Sequence, residues 1–320
     1  MKQSNQSDSI RTSEQHQIIL IRFSEIGIKS PKTRKWLTRK LISHIEFVLK
    51  NNDVKDFQIE NRFSRIFVFS EETDKIVHLL SNFIPGIASI SKVYECKTDF
   101  HEITEIIRKQ FFERLRNHST FAVKVKRTGK HTFSSVEMAA DIGEFILDNI
   151  DGSNIKVNLT DPEYYLYLEI REGVTYVYDH ITKGLGGLPA GCQGKVLVIV
   201  SGEDEDIANI LQLYKRGAIT LIYSTNQFSQ YSREYQEAIS KLLALQQNLK
   251  KAERVIFSND KQFDVEEVLN YYQKSQCLSI AMSKTIFEDL SMKIPTTIPV
   301  FVPYLVENLK EKEISILSKG

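Results

Sequence analysis

KGLGGLPAGCQGK (183–195) runs directly into VLVIV (196–200) and SGEDEDI (201–207), and the character of the chain changes there. The first piece is the densest glycine run in the sequence, which marks a hinge or boundary. The second is a continuous apolar run, the pattern of a strand buried on both faces of a parallel sheet. Downstream, further strands are expected at 218–223, 254–258, 277–281 and 297–301, with helices between them. Strand–helix alternation of this kind predicts a doubly wound α/β domain.

Upstream of the glycine run the pattern differs. HQIILIRF (17–24) reads as a strand, and Pro31 opens a helix reaching to about Asn51. Trp36, Leu37, Leu41, Ile45, Val48 and Leu49 recur along it at helical spacing. Strands near 56–60 and 64–69, a helix near 73–82 and a strand near 89–95 complete a β-α-β-β-α-β order, that of a ferredoxin-like unit. From Asp99, Ile103, Ile106, Ile107, Phe111 and Leu115 predict a helix, and FAVKVKRT (121–128) predicts a half-buried strand. Its basic side chains are expected on one face, leaving Ala122 and Val125 for the core. Ser134 or Ser135 caps a helix reaching to about Ile150, and YYLYLEI (164–170) pairs with VTYVYDH (174–180) as a hairpin.

Composition sets the class. The 320 residues are 42% hydrophobic, too many for one small core, so two or three domains are expected. Residues 1–16 are polar, without an apolar period, and are expected to be disordered; they do not read as a secretory signal. No stretch approaches the roughly 18 apolar residues of a membrane span, so no membrane partner is expected. Cys96, Cys192 and Cys277 are odd in number and far apart, which argues against a disulfide framework or a zinc site. A cytoplasmic location is expected, and no metal.

The formal net charge is only +1, but the charge is segregated. Residues 22–40 carry seven basic residues against Glu25 alone, among them Lys29, Lys32, Arg34, Lys35 and Arg39. Lys124, Lys126, Arg127, Lys130 and His131 form a second basic run, ending beside a helix N-terminus where backbone N–H groups favour an anion. Two such patches form an electrostatic footprint for a phosphate backbone. The loop after 196–200 stands where α/β domains bind ligands. It carries Ser201, Gly202, Glu203, Asp204, Glu205 and Asp206, and four consecutive carboxylates oppose a phosphate. One like-charge contact near 4 Å costs about 4 kcal/mol at an effective dielectric of 20. Acids complementing a helix dipole are the ordinary reading of such a loop.

Taken together, SEIGIKSPKTRKWL (24–37), FAVKVKRTGKHTFSS (121–135), DHITKGLGGLPAGCQGKVLVIVSG (179–202) and LYKRGAITLIYST (213–225) resemble the tRNA 4-thiouridine synthase family (ThiI, tRNA sulfurtransferase). The resemblance covers about residues 18–225. It implies an N-terminal ferredoxin-like domain (17–97), a THUMP RNA-binding domain (98–181), a glycine-rich linker (182–194) and a Rossmann-like PP-loop domain (195–320). It also implies that the first two domains bind the acceptor end of tRNA. By position, the expected contacts are Lys29, Lys32, Arg34 and Lys35, then Lys124, Lys126, Arg127, Lys130 and His131. The family's enzymes bind ATP with an SGGxDS loop and adenylate a uridine. Here Glu203 stands where the second glycine belongs, Glu205 replaces the aspartate and Asp206 the serine. The resemblance therefore points to a degenerate loop, no cofactor and an accessory role beside a second protein with a working PP-loop or a sulfur donor. The alternative is a divergent, active tRNA sulfurtransferase using ATP and magnesium, with Cys192 or Cys277 as candidate thiols. A homodimer is open under both readings.

Overall fold

The computed structural model describes residues 17–151, 154–224, 230–246, 255–257, 264–290 and 292–302. The expected disorder of residues 1–16 falls outside that set. The chain begins with β1 (Ile18–Phe23), a short 3-10 turn (Glu25–Ile28), α1 (Pro31–Asn51), β2 (Gln58–Arg62), β3 (Arg65–Phe69), α2 (Thr73–Phe83) and β4 (Ile87–Lys97). It continues with α3 (Phe100–Leu115), β5 (Thr120–Thr128), α4 (Ser135–Asn149), β6 (Lys156–Val157), β7 (Tyr164–Arg171), β8 (Val174–Tyr178) and β9 (Thr182–Lys183). After these come β10 (Lys195–Val200), α5 (Asp204–Lys215), β11 (Ile219–Ser224), α6 (Arg233–Leu245) and β12 (Val255–Phe257). The last are α7 (Val265–Lys274), β13 (Ser279–Ala281), α8 (Lys284–Leu290) and β14 (Val300–Phe301). No described helix is long and apolar enough to cross a membrane.

Two compact units interleave along the chain. The first takes the described residues up to Arg22, with Val54–Val77 and Ser89–Lys183. The second takes Phe23–Asp53, His78–Ala88 and the described residues from Gly184 onward.

The first unit is built on a nine-stranded sheet of order β2-β3-β1-β4-β8-β7-β5-β6, with β9 paired to β4. The segment β2-β3-β1-β4 is the strand order of a ferredoxin-like unit, and β8-β7-β5-β6 continues it. The β7–β8 turn holds Glu172 (φ 47°) and Gly173 (φ 87°), two left-handed residues whose twist suits a two-residue hairpin. One face of the second segment packs Phe121, Leu166 and Leu168 against Ile107 and Phe111 of α3 and Ile142 and Ile146 of α4. Each such buried side chain contributes about 1.5–3 kcal/mol. A separate cluster gathers Leu20, Phe67, Val93, Tyr176 and Tyr178.

The structure corrects the face assignment of β5. Side chains alternate along a strand, so Ala122 shares a face with Lys124 and Lys126, while Val125 shares one with Arg127. The strand's first three residues after Thr120 are buried on both faces, and only from Lys124 onward does polarity alternate with depth.

In the second unit, β10 lies at the centre of a parallel sheet of order β12-β11-β10-β13-β14. Val196, Val198 and Val200 pack with Ile207, Ile210 and Leu211 of α5 and Ile239 of α6. Leu197 and Ile199 pack on the other face with Val268 of α7 and Ile286 of α8. That two-sided burial is why VLVIV is apolar without alternation. The strand order reverses beside β10, so its carboxyl end opens at a topological switch point. Helix α1 is capped by Ser30, whose hydroxyl accepts from Thr33 N–H, with Pro31 at the first helical position. Trp36, read from the sequence as part of its apolar face, is 41% exposed, with Lys40 Nζ 5.4 Å from its ring centroid.

Candidate nucleic-acid interface and nucleotide loop

On β5, Lys124 and Lys126 are exposed and point the same way. The parallel register sets Ala122 beside Tyr165 and Lys124 beside Tyr167 of β7. Lys124 Nζ lies 3.9 Å from the centroid of the Tyr165 ring. Tyr165 and Tyr167, both half-buried, stack with centroids 5.7 Å apart, and Tyr167 stacks on Tyr178 at 5.2 Å. An ammonium row beside aromatic faces can contact phosphates and stack bases at once. The sequence reading named the lysines and missed the tyrosines. Their signal was the i, i+2 spacing of Tyr165 and Tyr167 in a strand that pairs with the basic one.

Arg127 projects to the opposite face, apart from Lys124 and Lys126. Its charge reaches Glu137, whose carboxyl is held below the usual range first by its bond to the Ser134 backbone and last by Arg127. Lys130 is exposed at the tip of the turn, where Gly129 takes φ +100°. His131 Nε2 donates to the Thr128 carbonyl (3.0 Å). At the start of α4, the Ser134 hydroxyl accepts from Glu137 N–H (3.1 Å) and Ser134 N–H donates back to the Glu137 carboxylate (2.6 Å). This capping box takes up part of the N-terminal donor set that the sequence reading left for phosphate.

The other basic patch belongs to the second unit. Lys32, Lys35 and Arg39 of α1 are exposed, and Lys29 is half-buried. Arg34 differs from them. Its Nη2 donates to the carbonyls of Gly27 (2.8 Å) and Lys29 (3.2 Å), so its fork holds the turn that presents Ile28 and Lys29.

Near the tyrosine row, Glu169 is 1% exposed and accepts from three arginines. Arg22 Nε and Arg65 Nε lie at 3.0 Å and Arg171 Nε at 2.7 Å. Burial would raise the Glu169 carboxyl, but the guanidinium charges outweigh it and hold it below the usual carboxylate range. Arg171 also donates to the carbonyl of Phe63, which ties the β2–β3 turn to β7.

The loop after β10 is closed from within. Backbone N–H groups of Ser201, Gly202 and Glu203 all donate to one oxygen, Asp206 Oδ2, at 2.9, 3.0 and 3.1 Å. The Tyr235 hydroxyl donates to the same oxygen at 3.0 Å. Asp206 is fully buried. Burial is the dominant influence on its carboxyl and pushes it up to about 6, against the pull of the four donors. Gly202 takes φ +98°, and a Cβ there would run into the Tyr231 ring. The other acids lie outside this cradle: Glu203 and Asp204 are exposed, and Glu205 accepts from Lys284 N–H (3.3 Å). The sequence reading set four carboxylates together against a phosphate; the structure turns one of them, Asp206, onto the loop's own backbone N–H groups. An ATP phosphate does not fit this loop as it stands.

Among the described residues, no group of three or more His, Cys, Asp or Glu side chains is placed to hold a metal ion. Burial raises all three thiols: Cys96 to about 12, Cys277 to about 11, and Cys192 by burial more than by any neighbour.

Along the sequence, a ferredoxin-like strand order and a basic, aromatic-faced α/β module precede a parallel, Rossmann-like α/β sheet. Comparison with known proteins agrees. Residues 18–91 match the ThiI ferredoxin-like domain family, and residues 97–179 match the THUMP domain family. A probable tRNA sulfurtransferase of Methanothermobacter thermautotrophicus is 33% identical over 235 residues, 72% of this chain and 58% of the relative. One from Methanocaldococcus jannaschii is 34% identical over 206 residues, covering 62% and 53%. The chain spans about half the length of the curated relatives it matches. Among solved structures, PH1313 from Pyrococcus horikoshii shares the fold with a TM-score of 0.72 at 23% identity, over 94% of this chain and 99% of that one. A 4-thiouridine synthetase solved in complex with RNA and bound ATP does so at 0.69 and 20%, over 94% and 85%. The chain carries a ThiI ferredoxin-like domain followed by a THUMP domain, and it is related to the tRNA sulfurtransferases.

Proposed function

We propose that this chain is a tRNA-binding protein of the tRNA-thiolation class that no longer adenylates uridine and serves as an accessory subunit in tRNA modification. Lys29, from the turn before α1, and Lys32 and Lys35, from α1, contact phosphates, while Arg34 shapes the turn that presents Lys29. Lys124, Lys126 and Lys130 contact phosphates from the THUMP domain, with Tyr165 and Tyr167 offering ring faces to unpaired bases near the acceptor end. ATP and magnesium are not cofactors of this chain. A second protein supplies the working nucleotide loop or the sulfur.

The observation that carries the accessory reading is the Asp206 carboxylate on the three loop amides. A triphosphate would have to displace a buried, four-times hydrogen-bonded side chain, and would meet its charge. Neither candidate thiol offers a ready nucleophile, because burial keeps Cys192 and Cys277 protonated.

The test is a direct assay of the purified chain. Binding of unmodified tRNA is expected, with affinity falling steeply between 50 and 200 mM salt, as counterion release requires. Incubation with tRNA, ATP, magnesium and sulfide is expected to leave no 4-thiouridine. Appearance of 4-thiouridine would establish the active-sulfurtransferase reading instead.

A further inference from the structure

We propose that the loop of residues 201–206 is a working anion cradle held shut by Asp206, so that removing this one carboxylate opens it to inorganic phosphate. The inference rests on the reading above that the chain does not use ATP, and it adds the reason why and a way to reverse it.

Three consecutive N–H groups converge on a single oxygen only when the backbone curls into a concave nest, and here Gly202 supplies the left-handed residue that makes the curl. Such a nest is the shape that receives a phosphate oxygen at a helix N-terminus. The carboxylate that fills it comes from the third residue of α5, the helix the nest introduces. Asp206 thus lies in the place of the ligand and brings the ligand's charge.

A second observation concerns the buried polar atoms beside the loop. Among the described residues, Asp206 Oδ1, Ser201 Oγ and both side-chain amide atoms of Asn209 are buried without a hydrogen-bond partner. Asn209 is fully buried and stands one turn along α5 from Asp206. Buried polar atoms are nearly always satisfied, yet besides Asp206's own oxygen the Ser201 hydroxyl and the two Asn209 amide atoms, in one turn of helix and its loop, are left without a partner by Asp206. A tetrahedral anion, with four oxygens in place of two, can engage donors that a carboxylate cannot reach.

The experiment uses the full chain, titrated with inorganic phosphate by calorimetry and by thermal shift. Asp206→Ser removes the charge and is too short to span the cradle; phosphate is expected to bind it at least tenfold more tightly than wild type. Asp206→Asn keeps an acceptor in the cradle and is expected to bind no better than wild type. A folded Asp206→Ser chain that gains no phosphate affinity overturns the proposal, as does equal gain by Asp206→Asn. Should Asp206→Ser fail to fold, the wild-type amide resonances decide. Those of Ser201, Gly202 and Glu203 are expected to move together as one carboxyl titrates, and their independence from it overturns the proposal. Tight ATP binding by the wild-type chain would instead refute the functional reading above, while failure of Asp206→Ser alone leaves that reading standing.

Discussion

Replacing Glu169 by Gln removes one negative charge from the middle of three guanidinium groups and changes almost no volume. The three Nε–carboxylate contacts lie at 2.7–3.0 Å, and Glu169 is 1% exposed, so water cannot replace what is lost. Each attraction amounts to about 4 kcal/mol at an effective dielectric of 20, and mutual repulsion of the arginines and the cost of burying them return much of the sum. Breaking a buried pair by removing one partner costs about 3–5 kcal/mol. For a chain of 320 residues that lowers the melting midpoint by roughly 4–7 °C. The readout is thermal unfolding followed by near-ultraviolet circular dichroism of the tyrosines, with Arg65→Leu in the Glu169→Gln background as partner measurement. The second change relieves repulsion and should cost less than it does alone. Because the folded carboxyl titrates below its unfolded value of about 4.3, the wild-type advantage should be complete above that pH and vanish as pH falls through the folded value. A Glu169→Gln chain within about 1 kcal/mol of wild type would refute the view that this carboxylate pins the β2–β3 turn to β7.

Other outcomes follow from the same geometry. Lys124→Ala with Lys126→Ala should weaken tRNA binding across sequences and flatten the log affinity against log salt slope by about 1.5, measured by filter binding. An unchanged slope would place these lysines off the backbone. Tyr165→Ala and Tyr167→Ala should each cost about 1–3 kcal/mol in binding an RNA with an unpaired end and far less for a blunt duplex, while Tyr→Phe at either site should bind as wild type. Equal losses on both RNAs would argue against base stacking. Asp206 faces Tyr235 and lies beside Glu203 and Glu205, and its folded value of about 6 stands above the unfolded value near 3.9. Wild-type stability relative to Asp206→Asn should therefore fall by about 3 kcal/mol as pH rises from about 3 to 7, about 2 kcal/mol of it between pH 4 and 6, and hold level above. Denaturant melts across that range would expose a flat or opposite trend.

Much of the architecture could be read before any coordinates. VLVIV announced a two-sided strand because both its faces are buried, and the β-α-β-β-α-β order preceded the sheet order that realises it. What escaped was short or depended on pairing. β6 and β9 have two residues each, too few to show a period. The i, i+2 tyrosines were visible in YYLYLEI, but only the pairing of β7 with β5 brings Lys124 to them, so no local pattern could show that contact. Arg34 looked like its basic neighbours in sequence, but its fork turns back onto the Gly27 and Lys29 carbonyls. The acidic loop was read from its summed charge, and the structure separates its members. Charge counting treats four carboxylates alike, whereas burial selects Asp206 and leaves Glu203 and Asp204 in solvent.

Under the proposed function, this chain keeps an RNA-binding front like that of the tRNA sulfurtransferases and closes its own loop after β10 with Asp206. Equilibrium dialysis of the purified chain against ATP, with and without magnesium, tests it most directly. No saturable binding is expected below millimolar ATP, in protein that binds tRNA in the same buffer. A micromolar dissociation constant for ATP in the wild-type chain would contradict it.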